Sequence, residues 1–248
     1  GGVIVIATGS VLLREMSALV ALGDEKGALA AQNRAASLTL ALGAPFVVAF
    51  LLVPDLIVAV AFEHGAFKAN ATQEAAGVLA AYALGMPALF VDRIAAASFL
   101  SRGDTATPLK VTLLGVVVNV ALKIALFRPL GAPGLALATA AGLWIKVAGV
   151  FALARRRGWT APDARLLATA AATLFAAGAL AFALTLADGP LVMLLTHLPR
   201  FAREARLVGL TAIGVVIYFG ALGLGLWLTG AMPTTLLRRA RRALRVGR

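Results

Sequence analysis

Cysteine is absent from this chain, which excludes disulfides, thiol catalysis and thiolate-held metal and leaves the redox compartment undetermined. Histidine is nearly absent. His64 and His197 stand far apart with no partner cluster, so the pattern points to no metal site. Charged residues make up only 14% of 248, where a soluble domain carries about a quarter. HExxH, a phosphate-binding loop and paired carboxylates on one helix face are all missing. Those gaps disfavour an embedded enzyme, such as a membrane transferase, and ATP-driven transport by this chain alone.

What fills the space is apolar. Hydrophobic residues form 61% of the chain, and mean hydropathy is +0.93. That much apolar surface needs a solvent other than water, and lipid is the candidate. A formal charge of +12 raises nucleic acid as a partner. The basic residues, however, fall between long apolar runs and at the C-terminus, never in a basic domain with interleaved aromatics. Nucleic acid is therefore set aside. The chain opens Gly1-Gly2-Val3 inside an apolar run, without Met or a basic leader, and reads as part of a longer protein.

A membrane-crossing helix needs about 20 mostly apolar residues. Six stretches qualify: 35–53, 75–91 with a continuation to 101, 111–127, 129–154, 166–187 and 207–237. Residues 1–13 read as the second half of a seventh. The fold expected is all-α: a polytopic membrane bundle of six complete helices and one partial N-terminal helix. Three segments follow: core helices over 1–157, two additional helices with an outer amphipathic loop over 158–231, and a basic tail over 232–248. In that loop Leu191, Leu194, Leu195, Leu198 and Phe201 have helical apolar spacing, with Arg200, Arg203 and Arg206 nearby, which predicts an interfacial helix.

Orientation follows from the basic residues of short loops. Arg14, Lys26, Arg34, Arg102, Lys110, Arg155, Arg156, Arg157, Arg165 and six tail arginines lie on one side. Lys68, Arg128, Arg200, Arg203 and Arg206 lie on the other. Fifteen against five predicts a cytoplasmic C-terminus, with the tail contacting anionic membrane lipids.

Ionisable residues inside the bilayer are functional candidates by default. Here they are Asp92, Arg93, Lys123 and Lys146. Arg93 either meets a diphosphate in a polar cavity through bidentate hydrogen bonds, or serves a structural interhelical ion pair or snorkels to the interface. Lys146 is nearer mid-span than Lys123, whose position suits snorkelling to the interface. Asn119, one turn before Lys123, is expected to hydrogen-bond between helices. Pro45 and Pro87 each remove a backbone hydrogen bond inside a span, and Gly85 beside Pro87 adds freedom, so these three are hinge candidates. Gly134, Ala138 and Gly142 form a small-residue stripe suited to close helix packing.

Several strings resemble one family. Gly9-Ser10-Val11-Leu12-Leu13 with Ser17 and Gly23-Asp24 is similar to the "G-T-x-L-L-P-x-L-S…G" segment of the MurJ/MviN lipid II flippases, with Arg14 where that pattern has proline. Phe62 to Phe67 resembles the "F-E-R-G-x-F" outer loop, and Tyr82 to Ala88 the "Y-x-x-G-L-P-A" helix. Phe99 to Pro108 resembles "F-Y-A-R-x-D-T-x-T-P", with Leu100 replacing the aromatic, and Gly134 to Thr139 matches "G-L-A-L-A-T". The order holds from residue 9 to about 155.

The resemblance implies one lobe of a two-lobed exporter of the multidrug/oligosaccharidyl-lipid/polysaccharide superfamily, a multi-pass protein of the bacterial inner membrane acting as a monomer with a further N-terminal lobe. It implies translocation of lipid II, or another polyprenyl-diphosphate-linked saccharide, by alternating access. Related alternatives are export of a different lipid-linked oligosaccharide and drug/cation antiport; a non-transporting scaffold is the alternative of another class. No cofactor is implied, and coupling to membrane potential or to a monovalent ion stays open. The last two helices would form a groove for the lipid tail. Arg102, Asp104, Thr107 and Pro108 match the cytoplasmic turn motif, where Asp104 or Thr105 suits a helix cap and Pro108 a first turn.

Overall fold

The computed structural model describes residues 2–63, 69–195 and 201–231, with side chains from residue 9. His64, Lys68, His197, Leu198, Arg200 and the tail 232–248 lie outside the described residues. The elements are α1 (Gly2–Ala21), α2 (Glu25–Leu52), α3 (Pro54–Phe62), α4 (Ala69–Ala83), α5 (Met86–Leu100), α6 (Ala106–Arg156), α7 (Ala164–Leu194) and α8 (Ala202–Leu228). The all-α class expected from the sequence is the one observed.

Among the described residues, five helical stretches are long and apolar enough to cross a bilayer: α2, α4 with α5, α6, α7 and α8. The sequence predicts six, and the difference lies in α6. Its 51 residues would extend roughly 76 Å if straight, against a hydrocarbon core of about 30 Å. They are not straight. Gly131 has φ 58° and ψ −138°, a conformation that only glycine adopts freely, and the chain reverses there. The register of the two halves shows in their close approaches. A Cβ added to Gly149 would lie 2.8 Å from Val111, one on Gly142 2.7 Å from Asn119, and one on Gly134 2.4 Å from the Leu126 carbonyl oxygen. Later residues meet earlier ones in reverse order, so α6 is a hairpin of two spans, 106–130 and 132–156. The small-residue stripe lies inside that hairpin.

Other boundaries also move. The expected continuous helix over 75–101 is broken between α4 and α5. Gly85 donates its N–H back to the Tyr82 carbonyl at 2.9 Å, and Pro87 sits in the first turn of α5, where its missing N–H costs nothing. The indole of Trp144 donates to the freed Leu84 carbonyl at 2.8 Å. By contrast α2 runs unbroken through Pro45. The first helix extends beyond Leu13 to Ala21, which places Arg14 inside α1 and not in a loop. Likewise Leu191 and Leu194 continue α7 through Pro190, so they belong to a span and not to a separate interfacial helix.

The turns around 22–24, 101–105 and 157–163 gather at one end of the bundle, called here the basic end. Packing is alanine-rich, because without water to expel, helices in lipid associate through close approach. Leu12, Met16, Ala28, Ala31 and Ile94 join α1, α2 and α5. Phe99, Val150 and Ala154 join α5 to the second half of α6. Ala41, Ala172, Ala176, Leu180 and Tyr218 join α2, α7 and α8. The outer face of α6 instead carries Leu109, Leu113, Val117, Val120 and Ile124, the last 76% exposed, as a stripe at helical spacing. That stripe is suited to acyl chains.

Gly85 packs directly on α6: an added Cβ would lie 2.9 Å from the Ala140 Cα, which is backbone and cannot rotate aside. Gly85→Ala is expected to destabilise the chain by about 1–3 kcal/mol in detergent thermal unfolding. Gly178→Ala, with nothing within 4 Å, serves as the neutral control.

Candidate functional site

The two helices that carry the intramembrane charges run side by side, α5 along the second half of α6. This alignment brings Lys146 onto Asp92, with Nζ 2.9 Å from one carboxylate oxygen and 3.0 Å from the other. Asp92 lies eight residues before the end of α5 and Lys146 ten before the end of α6. At 1.5 Å per residue both sit about 12–15 Å from the basic end, close to mid-bilayer. Their side chains are 14% and 22% exposed, and Gly115 leaves room for the Lys146 stem. Two charges are thereby reduced to a neutral pair.

Arg93 follows Asp92 and points about 100° away. It is exposed, and its stem lies against α1, where a Cβ on Gly9 would come within 2.9 Å of the Arg93 Cβ. Among the described residues Arg93 makes no ion pair. Lys123 is half-buried near the far end of the first α6 span, also without an ion pair among the described residues. Asn119 packs on Gly142, but its buried Oδ1 accepts no hydrogen bond among the described residues. Among the described residues it makes no interhelical hydrogen bond, since Gly142 across the hairpin offers it no side chain. The structure thus joins Asp92 with Lys146 and leaves Arg93, Lys123 and Asn119 separate.

The turn motif assembles a second cluster at the basic end. Asp104 caps α6 by accepting the Thr107 N–H at 2.9 Å and the Thr107 hydroxyl at 2.7 Å, and it also holds Arg157 at 2.5 Å. Those bonds, led by the Thr107 backbone N–H, lower its pKa from 3.8 to about 2. Pro108 is buried in the first turn of α6, as expected, and its carbonyl accepts the Thr112 hydroxyl. Arg102 bonds to Glu25 and to the Ser98 carbonyl, the latter at 2.7 Å. Between the two arginines lies Trp159, 5.0 Å from Arg102 and 4.8 Å from Arg157, with Phe99 edge-on to it. Stacking cations on a ring adds attraction to the ion pairs. The cluster ties the α5–α6 turn to the α6–α7 connection and to the start of α2.

A third feature is an apolar groove of about 530 Å³ between α2, α3, α7 and α8. Phe46, Phe50, Ile57, Leu184, Leu210 and Phe219 are among its walls. It lies toward the end opposite the arginine cluster. There Arg203 pairs with Glu63 at 2.8 Å, and Arg206 holds Asp188 through two hydrogen bonds at 2.7 and 2.5 Å.

A profile of the family described as "Lipid II flippase MurJ" matches residues 1–199. The chain belongs to the lipid II flippase MurJ family. A protein of Rhizobium meliloti (strain 1021) named "Probable lipid II flippase MurJ" is 34% identical over 243 residues, covering 97% of this chain and 45% of that one. A Rhizobium tropici protein of the same name is 39% identical over 157 residues, covering 63% of this chain and 30% of its own. A solved structure, "Lipid II flippase MurJ, inward closed conformation", shares the fold with a TM-score of 0.71 at 22% identity. It covers 91% of this chain and 44% of that one. The chain therefore spans about half the length of the MurJ relatives it matches.

Two further interhelical ties were not singled out from the sequence. Gln32 of α2 is 2% exposed and donates to the Ser98 hydroxyl at 2.6 Å, knitting α2 to α5. Trp159 and Arg157 complete the basic-end cluster. A polar Gln32-Asn33 pair opening an apolar helix, and a tryptophan directly after Arg155-Arg156-Arg157-Gly158, were the available signals.

Two outcomes follow. Asp92→Asn leaves Lys146 charged and unpaired, so it is expected to destabilise the chain by about 3 kcal/mol, whereas adding Lys146→Met recovers most of that loss in thermal unfolding. Asp104 has a depressed pKa, so its contribution is present above pH 3.8 and lost as pH falls toward 2. Asp104→Asn should therefore flatten the dependence of the thermal midpoint on pH across that window.

Proposed function

We propose that this chain supplies one lobe of a flippase that moves lipid II, a lipid-linked peptidoglycan precursor, across the bacterial inner membrane by alternating access. The observation that carries this reading is Arg93. It is an exposed mid-span cation with no counter-charge among the described residues, on a bundle that neutralises its neighbour Lys146 through Asp92. A charge left unpaired at that depth has little support unless it borders a polar path. A diphosphate matches the guanidinium in charge and in fork geometry.

The groove complements this cationic site. A polyprenyl tail needs an apolar channel that remains continuous with lipid while the head group crosses, and the α2–α3–α7–α8 groove has that character. The basic loops orient the Arg102 end toward the cytoplasm. A mid-span arginine that changes its access between sides also senses membrane potential, by about 2.3 kcal/mol per elementary charge per 100 mV. The break at Gly85 and Pro87 gives the lobe a place to flex next to Asp92 and Arg93.

The test is outward accessibility of lipid II in intact cells. Depleting the protein should lower accessible lipid II, and unchanged accessibility removes the proposal. In complementation, Arg93→Gln is expected to reduce translocation about tenfold, with Arg93→Lys intermediate because it keeps charge and loses the fork.

A further inference from the structure

Pro45 interrupts the hydrogen-bond ladder of α2 without interrupting the helix. Proline has no N–H, so the carbonyl four residues earlier, that of Ala41, loses its intrahelical donor. In hydrocarbon no water takes its place, and an unpaired carbonyl is costly. The donor comes from another helix. The Tyr218 hydroxyl of α8 donates to the Ala41 oxygen at 2.5 Å. Tyr218 is fully buried and Ala41 nearly so, which removes competition from solvent. Phe219 meets the Tyr218 ring edge-on at 5.3 Å and restricts its rotation. Pro45 and Tyr218 both stand in the wall of the apolar groove.

We propose that Tyr218 is a positioning residue for that groove. Its hydroxyl supplies the hydrogen bond that Pro45 denies to Ala41, ties α8 to α2, and so couples the width of the groove to the docking of α8 on α2. When α8 swings away from α2, it strands the Ala41 carbonyl in hydrocarbon, which opposes free opening. The link to lipid-tail binding rests on the function proposed above; the tie between Tyr218 and Pro45 does not.

Pro45→Ala provides the decisive background. It restores an N–H at position 45, returns to Ala41 its intrahelical donor, and frees Ala41 from dependence on the tyrosine hydroxyl without removing it. The experiment is a double-mutant cycle of Tyr218→Phe and Pro45→Ala on the whole chain in detergent. It reads both the thermal midpoint and the binding of a fluorescent polyprenyl phosphate. With Pro45 present, Tyr218→Phe is expected to lower the midpoint and weaken probe binding about tenfold. In the Pro45→Ala background both effects should shrink to within about twofold in binding and to near zero in midpoint. Equal effects in the two backgrounds, or none in either, overturn the inference. If Tyr218→Phe alone does not accumulate, recovery of folded protein in the double variant is the rescue required, and its failure overturns the tie. If the unaltered chain does not bind the probe, the tail-groove reading falls and the coupling with it, while the thermal cycle still decides the tie.

Discussion

Hydrocarbon offers no hydrogen bonds and no counter-ions, so each polar group carried into the bilayer must find its partner on a neighbouring helix. This constraint organises most of the specific contacts in the chain. Asp92 and Lys146 meet at mid-depth. Gln32 reaches Ser98. Two carbonyls that lack an intrahelical donor are served from another helix, Leu84 by the Trp144 indole and Ala41 by the Tyr218 hydroxyl. Each such bond pins a pair of helices in a register that apolar packing alone would leave loosely defined.

Close approach is the other half of the arrangement. Lipid tails are as apolar as leucine, so burial of oily surface gives little drive for helix association, and shape must supply it. Glycines therefore sit where helices cross most tightly: Gly43 beneath the Phe90 ring, Gly85 on Ala140, Gly142 on Asn119, and Gly225 on Ala172. Many large apolar side chains are turned outward, as on α6 with Leu113, Val117 and Ile124. The interior is rich in alanine and glycine, with a few large side chains such as Phe99 and Tyr218 buried among them.

The ends of the helices obey different rules because water reaches them. At the basic end, carboxylates and arginines form a connected cluster around Trp159, and Asp104 serves at once as helix cap and ion-pair partner. The motif around Arg102 to Pro108 is thus architectural: it fixes how three connections meet. Arg93 stands apart from both schemes, exposed at mid-span and lying over Gly9, which is why it carries the functional proposal.

Composition and run length determined the all-α membrane class by themselves, since runs of about 20 apolar residues have few other solutions. The in-order strings from Gly9 to Thr139 likewise pointed to the family on their own, because helix breaks, caps and turns impose local residue patterns. The partner of Asp92 was not legible, as Lys146 is 54 residues away and only the parallel run of α5 beside α6 brings them together. The two expected spans 111–127 and 129–154 already implied a reversal between them; that it falls at Gly131, past Pro129, depends on backbone angles that only the structure gives. Pro45 read as a kink or hinge from sequence. That its orphaned carbonyl is claimed by Tyr218, 177 residues downstream of Ala41, was decided only when α8 docked against α2, because a hydrogen bond across that separation is a property of packing and leaves no local pattern.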